Sequence, residues 1–196
     1  DGGSVNIIAR DTVVFDGESS EGFLSGAYSQ VDVGAEGNAG GVRIETGSLE
    51  VTNGALIDAS TEGKGDAGRV DIIARDTVVF GGEDSLGYGS GAYSIVYEGA
   101  VGNAGGVKIE TGSLEATNGG QIGAAISGQG DGGSVNIIAR DTVVFDGEDS
   151  LGFSSGAFSS VQPGGEGNAG GVRITTGSLE VSNGAKIGSD TFGIGR

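Results

Sequence analysis

The sequence predicts an all-β chain wound as a right-handed parallel β-helix, a solenoid of about six triangular coils with three strands per coil. Three observations carry the prediction. The 196 residues divide into three near-identical units offset by 65 residues. Each unit divides again into two unequal sub-units that open on one shared motif. Val and Ile alternate with polar residues in runs too short for ordinary helices.

The repeat is explicit. DGGSVNIIARDTVVFDGE at 1–18 returns unchanged at 131–148, and DAGRVDIIARDTVVFGGE occupies 66–83. The chain therefore reads as one solenoid segment, 1–196, of three units at 1–65, 66–130 and 131–195. The motif [N/D]-[A/G]-G-x-V-x-I begins at Asp1, Asn38, Asp66, Asn103, Asp131 and Asn168, which gives alternating coils of 37 and 28 residues. The shorter coil reads as strands VRIET, SLEVTNG and ALIDAST; the longer reads VNIIAR, TVVF and GAYSQV. Strand-to-strand pairing of successive coils at about 4.8 Å stacks them into a rod roughly 30 Å long. The crossover rule for parallel strands sets the right hand. An up-and-down sandwich would need paired hairpins at constant spacing, which the repeat lacks.

Alternation assigns the core. Val5 and Ile7 should stack on Val42 and Ile44, Val70 and Ile72, Val107 and Ile109, Val135 and Ile137, and Val172 and Ile174. A second column should run Val13/Phe15, Leu49/Val51, Val78/Phe80, Leu114/Ala116, Val143/Phe145 and Leu179/Val181. A register slip of one in TVVF would turn Thr12 and Val14 inward and expose Phe15. The third wall takes Ile57, Ile122 and Ile187 from the short coils and Ser29, Ser94 and Ser159 from the long ones. Asn53-Gly54, Asn118-Gly119, Asn183-Gly184, Asp16-Gly17 and Asp146-Gly147 supply residues suited to positive φ at corners.

Composition removes whole classes of chemistry. There is no Cys, so no disulfide framework, thiolate nucleophile or Cys-ligated metal, and no His to serve as base or ligand. The 44 Gly follow neither the collagen period nor a disordered composition, since bulky aliphatics recur throughout. A net charge of −17 repels phosphate backbones and anionic headgroups, so nucleic acid and membrane are not expected partners. No apolar run reaches the ~18–20 residues of a membrane span. Lacking any Met, the sequence is expected to be a stretch of a longer chain. The Gly-rich strings lack a Walker lysine and a strand–loop–helix setting, so no nucleotide site is expected.

The motifs GNAGGVRI at 37–44, TGSLEVTNGA at 46–55 and ARDTVVF at 9–15, with their later copies, resemble the filamentous haemagglutinin-like repeat proteins common in cyanobacteria. The resemblance covers the whole chain. It implies a right-handed parallel β-helix, export by a two-partner route, an extracellular or cell-surface location, and a role in adhesion or surface structure. The secretion domain that names that family is not in this sequence, and the calcium-binding nonapeptide G-G-x-G-x-D-x-U-x is not matched.

Catalysis is not expected. The candidate columns, Arg10-Asp11, Arg75-Asp76 and Arg140-Asp141 with Glu50, Glu115 and Glu180, recur once per unit, whereas an active site is a singular departure from the pattern, and none stands out. No catalytic, cofactor or metal residue is therefore assigned. The Arg-Asp pairs should form local ion pairs worth at most about 1 kcal/mol each. The column Asp1, Asn38, Asp66, Asn103, Asp131, Asn168 should form a turn ladder, with weak calcium binding by the acidic surface as the rival reading. The inserted loops are the candidates for recognition of glycans or cell-surface proteins. They read ESSEGFLSGAYSQ, EDSLGYGSGAYSI and EDSLGFSSGAFSS and carry Phe23, Tyr28, Tyr88, Tyr93, Phe153 and Phe158. The competing reading has these rings stacking on one another over a coil corner. Both end coils should present open strand faces, covered by neighbouring repeats of a longer chain or by head-to-tail self-association.

Overall fold

The structure, a computed structural model, describes residues 1–195. Among them are sixteen strands and no helix. In chain order these are β1 (Val5–Ile8), β2 (Thr12–Asp16), β3 (Gly26–Tyr28), β4 (Val42–Thr52), β5 (Leu56–Asp58), β6 (Val70–Gly81), β7 (Gly91–Tyr93) and β8 (Val107–Thr111). They continue with β9 (Ser113–Thr117), β10 (Gln121–Gly123), β11 (Val135–Ala139), β12 (Thr142–Asp146), β13 (Gly156–Phe158), β14 (Val172–Thr175), β15 (Ser178–Ser182) and β16 (Lys186–Gly188).

Every pairing between these strands is parallel, and each climbs by one sub-unit. Val5 pairs with Val42, Val42 with Val70, Val70 with Val107, Val107 with Val135, and Val135 with Val172. A second ladder runs Phe15–Val51–Phe80–Ala116–Phe145–Val181 in the same ten-stranded sheet. The six-stranded sheet is β3-β5-β7-β10-β13-β16. Beyond it, single bridges join Val31, Thr61, Val96, Ile126, Val161 and Thr191. Each sub-unit thus occupies one layer of a stack, an architecture compatible with a β-solenoid.

The two aliphatic columns pair and bury as the alternation requires. Ile44, Leu49, Val51, Val70, Val78, Phe80, Ile109, Val135, Ile137, Val143 and Phe145 are all sealed from solvent, each worth roughly 1.5–3 kcal/mol. TVVF keeps the register with Val13 and Phe15 inward, and Val14 faces solvent. Eighteen short strands become sixteen because β4 and β6 run on through the first corner. Between Thr46 and Ser48 their register shifts, so that Gly47 stands opposite both Arg75 and Asp76. The long layer has one residue more there, and a β-bulge absorbs it. A Cβ on Gly47 would stand 2.3 Å from the Asp11 carbonyl, which is why the short layer carries Gly at that place.

The third wall needs correction. Ile57 and Ile122 lie on it as expected, but their partners are Ala27, Ala92 and Ala157 and not the serines. Ser29, Ser94 and Ser159 are indeed buried, two residues further on, where their hydroxyls bind backbone. At the corners Asn53, Asn118 and Asn183 have φ of 54°, 48° and 50°, and the following glycines are positive too. In Asp16-Gly17 and Asp146-Gly147 only the glycine is. The core reaches solvent at both ends: Val5, Ile7, Val13 and Phe15 are half-buried, and Leu179, Val181 and Ile187 are exposed.

Candidate functional site

The inserted loops form a column of their own. Each closes with a single antiparallel bridge, Glu18 to Leu24, Glu83 to Gly89 and Glu148 to Ser154. The residue after the glutamate holds the loop from inside. Asp84 Oδ1 accepts from the N–H groups of Leu86 and Tyr88 at 2.8 and 2.9 Å, and Asp149 Oδ1 does the same for Leu151 and Phe153. Ser19 Oγ plays this part in the first loop. The glutamates then link loops of successive units: Glu18 Oε1 accepts from Ser85 N–H at 3.0 Å and Glu83 Oε2 from Ser150 N–H at 2.7 Å. Tyr88 and Phe153 stack with centroids 6.4 Å apart.

The six aromatics separate into two sets. Phe23, Tyr88 and Phe153 sit at the loop tips and are 71%, 52% and 50% exposed. Tyr28, Tyr93 and Phe158 end β3, β7 and β13, as the strand reading GAYSQV expects, and so lie on the outer face of the six-stranded sheet and not on the inserted loops with which the recognition reading grouped them. Their rings lie over glycines. A Cβ on Gly26 would meet the Tyr28 ring at 3.0 Å, one on Gly91 the Tyr93 ring at 2.5 Å, and one on Gly156 the Phe158 ring at 3.2 Å. Tyr28 donates to the Leu24 carbonyl and Tyr93 to Gln121 Oε1. Ring stacking, the competing reading, holds for Tyr88 with Phe153.

Between these rings the short layers differ. Asp58 pairs in register with Tyr28 on one side and Tyr93 on the other, and is buried. Its Oδ1 accepts from Ser60 N–H at 2.9 Å and from the Ser60 hydroxyl, and Oδ2 accepts from Gln30 Nε2 at 2.7 Å. Burial pushes its carboxyl above the ordinary carboxylate value, which these hydrogen bonds partly offset, and Glu62 adds to the rise. Burial likewise raises the Tyr28 and Tyr93 hydroxyls and pushes Tyr97 up to about 12, each with Asp58 contributing. The next short layer has Gly123 in this place, paired with Tyr93 and Phe158. Here the wall opens into a groove of about 450 Å³. Gly123, Ala125 and Ser127 form its floor, Tyr93, Ile95 and Tyr97 one side, and Phe158, Ser160 and Gln162 the other. Gln121, Lys186 and the loop residues Gly152, Phe153 and Ser154 complete the lining. The repeat does hold singular positions, then: the buried Asp58 and the groove one unit later. Both lie in the stretch where the short sub-units diverge, ALIDASTEGKG against GQIGAAISGQG and AKIGSDTFGIG.

The repeated columns behave as scaffold. Asn38 N–H donates to Asp1 Oδ1, Asp66 N–H to Asn38 Oδ1, Asn103 N–H to Asp66 Oδ1, Asp131 N–H to Asn103 Oδ1 and Asn168 N–H to Asp131 Oδ1, at 2.7–3.1 Å. Arg10 pairs with Asp11 at 2.7 Å and Arg75 with Asp76 at 2.8 Å, both well exposed and so weak. The third corner departs from expectation, because Arg140 Nη2 donates to the Arg75 carbonyl. Glu50 and Glu115 flank Val79, and Glu115 and Glu180 flank Val144, so these carboxylates stand two layers apart. Among the described residues no three acidic side chains are grouped to hold a metal ion.

No family model, curated protein or solved structure matches the chain.

Proposed function

We propose that the chain is a stretch of an exported bacterial surface protein, a right-handed β-helical rod of six triangular coils serving as adhesin stalk or structural shaft and not as an enzyme. The observation that carries this reading is the pairing itself. Three units put the same side chains at the same height on every second layer, and such a stack lengthens by adding units without changing its interfaces. The likeness to filamentous haemagglutinin-like repeat proteins supports the same role, and with it an extracellular location. Neighbouring repeats of one longer chain are the main partners. Glycans or cell-surface proteins would meet the loop tips at Phe23, Tyr88 and Phe153, and calcium would act only as weak counter-charge.

One observation favours a second reading, an extracellular filament assembled head to tail. The segment 1–18 is identical to 131–148, whose strands stack on the short sub-unit before them. The first layer of a second copy would therefore fit the short-layer strands β14 and β15 as β11 and β12 fit β8 and β9. Negative-stain electron microscopy with the intact-chain mass of native material separates the two. A single very long chain forming a surface rod supports the stalk; uniform fibres built from small chains support the filament. Compact particles would refute both.

A further inference from the structure

We infer that the groove over Gly123 is a binding site for a neutral saccharide, with a sugar ring seated between Tyr93 and Tyr97 on one side and Phe158 on the other. The inference deepens the recognition role proposed above but moves it from the exposed tips at Phe23 and Tyr88 to this groove, whose rim the third loop reaches through Phe153.

The molecule contains its own control. One unit earlier the same wall is closed, because Asp58, Ser60 and Glu62 stand where Gly123, Ala125 and Ser127 form the floor. The framework leading into both places is nearly unchanged: residues 38–54 and 103–119 differ only at Arg43/Lys108 and Val51/Ala116. Replacements then crowd together at Ala55/Gly120, Leu56/Gln121, Asp58/Gly123, Ser60/Ala125, Thr61/Ile126, Glu62/Ser127 and Lys64/Gln129. The outward positions of this stretch lose every charge and most of their bulk, while the strands that carry them stay in register.

The lining selects the occupant. Its volume lies in the ~300–1,000 Å³ range of small-molecule sites. Aromatic faces are electron-rich and suit the C–H face of a pyranose, while amides and hydroxyls at Gln162, Ser127 and Ser160 offer donors and acceptors to its hydroxyl groups. In a chain with 27 carboxylates, none lines this groove. Its one cation, Lys186, does not offset a net charge of −17, which disfavours phosphorylated, sulfated or uronate ligands. A peptide strand finds no free edge, because β10 is already paired on both sides.

The test uses the full chain with cellotetraose, maltotetraose and tri-N-acetylchitotriose as neutral probes and tetragalacturonate as the anionic one. Titration calorimetry is read beside tyrosine fluorescence, since the chain has no Trp and two of its four tyrosines line the groove. At least one neutral probe should bind with Kd at or below about 1 mM. The graft Gly123→Asp, Ala125→Ser and Ser127→Glu installs the residues found one unit earlier; a Cβ on Gly123 meets the Tyr93 ring at 2.9 Å, so that ring must turn aside and the floor fills. It should weaken binding at least tenfold, with circular dichroism checking that the graft is folded. Should the graft not fold, Gln162→Ala carries the same direction, a several-fold loss. Phe23→Ser with Leu86→Ser, both at exposed loop positions outside the groove lining, should leave this binding unchanged. Three results would overturn the inference: no neutral probe bound, tetragalacturonate preferred, or binding that survives the graft. Loss in the loop double variant alone would move saccharide recognition to the loop tips and likewise overturn it. If groove binding holds while the loop variant has no effect on surface attachment, the loop reading fails by itself.

Discussion

Ser94 closes its own layer and fastens it to the next. It is fully buried; its hydroxyl donates to the Gly68 carbonyl at 2.8 Å and accepts from the N–H groups of Gly105 and Gly106 at 2.9 and 3.2 Å. Ser94→Ala removes one oxygen and strands three backbone groups in a sealed corner. At ~1–3 kcal/mol for a group so stranded, with some relaxation shared among the three, the loss should be about 2–5 kcal/mol. Urea unfolding followed by circular dichroism gives the total, and hydrogen exchange at the Gly105 and Gly106 amides localises it. Ser159→Ala should cost as much, since Ser159 makes the same three bonds to Gly133, Gly170 and Gly171. Ser29→Ala should cost less, with two such bonds at the end layer. Ser85→Ala, on an exposed loop, should stay within about 0.5 kcal/mol of the parent. A loss for Ser94→Ala below about 1 kcal/mol, or unchanged protection of the two amides, would refute the argument.

Two further outcomes follow from the same geometry. Because burial raises the Asp58 carboxyl in the folded chain, folding is best supported below the unfolded-state pKa and weakens as pH rises through the raised value. Asp58→Asn removes that decline, so its melting temperature should gain on the parent's from about pH 4 towards neutrality; a constant or shrinking difference would count against it. Gly102→Ala sets a Cβ 2.0 Å from the Gly65 carbonyl and should cost at least ~2 kcal/mol, whereas Gly3→Ala meets nothing within 4 Å and should be neutral or slightly stabilising. Thermal melts of the two, ranked the other way, would contradict the stacking described.

How far the residues announce the structure depends on whether period or chemistry is asked of them. Val5/Ile7 and Val13/Phe15 declare their faces because alternation and a 65-residue copy both constrain them. Gly-Ala-Tyr at 26–28 does not: the stretch reads as a strand, but three residues with one small inward side chain carry no alternation to set their facing, so neither Ala27 as the partner of Ile57 nor Tyr28 as a ring of the sheet rather than of the loop is legible. Gly123 escaped for another reason. What marks it is a difference between copies, Asp58 against Gly123, within a sequence whose strongest feature is sameness. A subtraction of one unit from the next would have pointed to it. The burial of Asp58 was out of reach of any pattern, since only the lateral spacing of the layers brings Gln30, Tyr93 and Ser60 around it.

The alternation of 37- and 28-residue layers also sets how the chain would behave under tension. Each layer contributes only about 4.8 Å of height, yet once peeled free it becomes roughly 130 or 100 Å of extended backbone. Pulled from its ends, the stack pays out slack in two alternating lengths. A stack of this kind would unwind as a reel does, absorbing a sudden pull at one layer while the layers beyond remain wound.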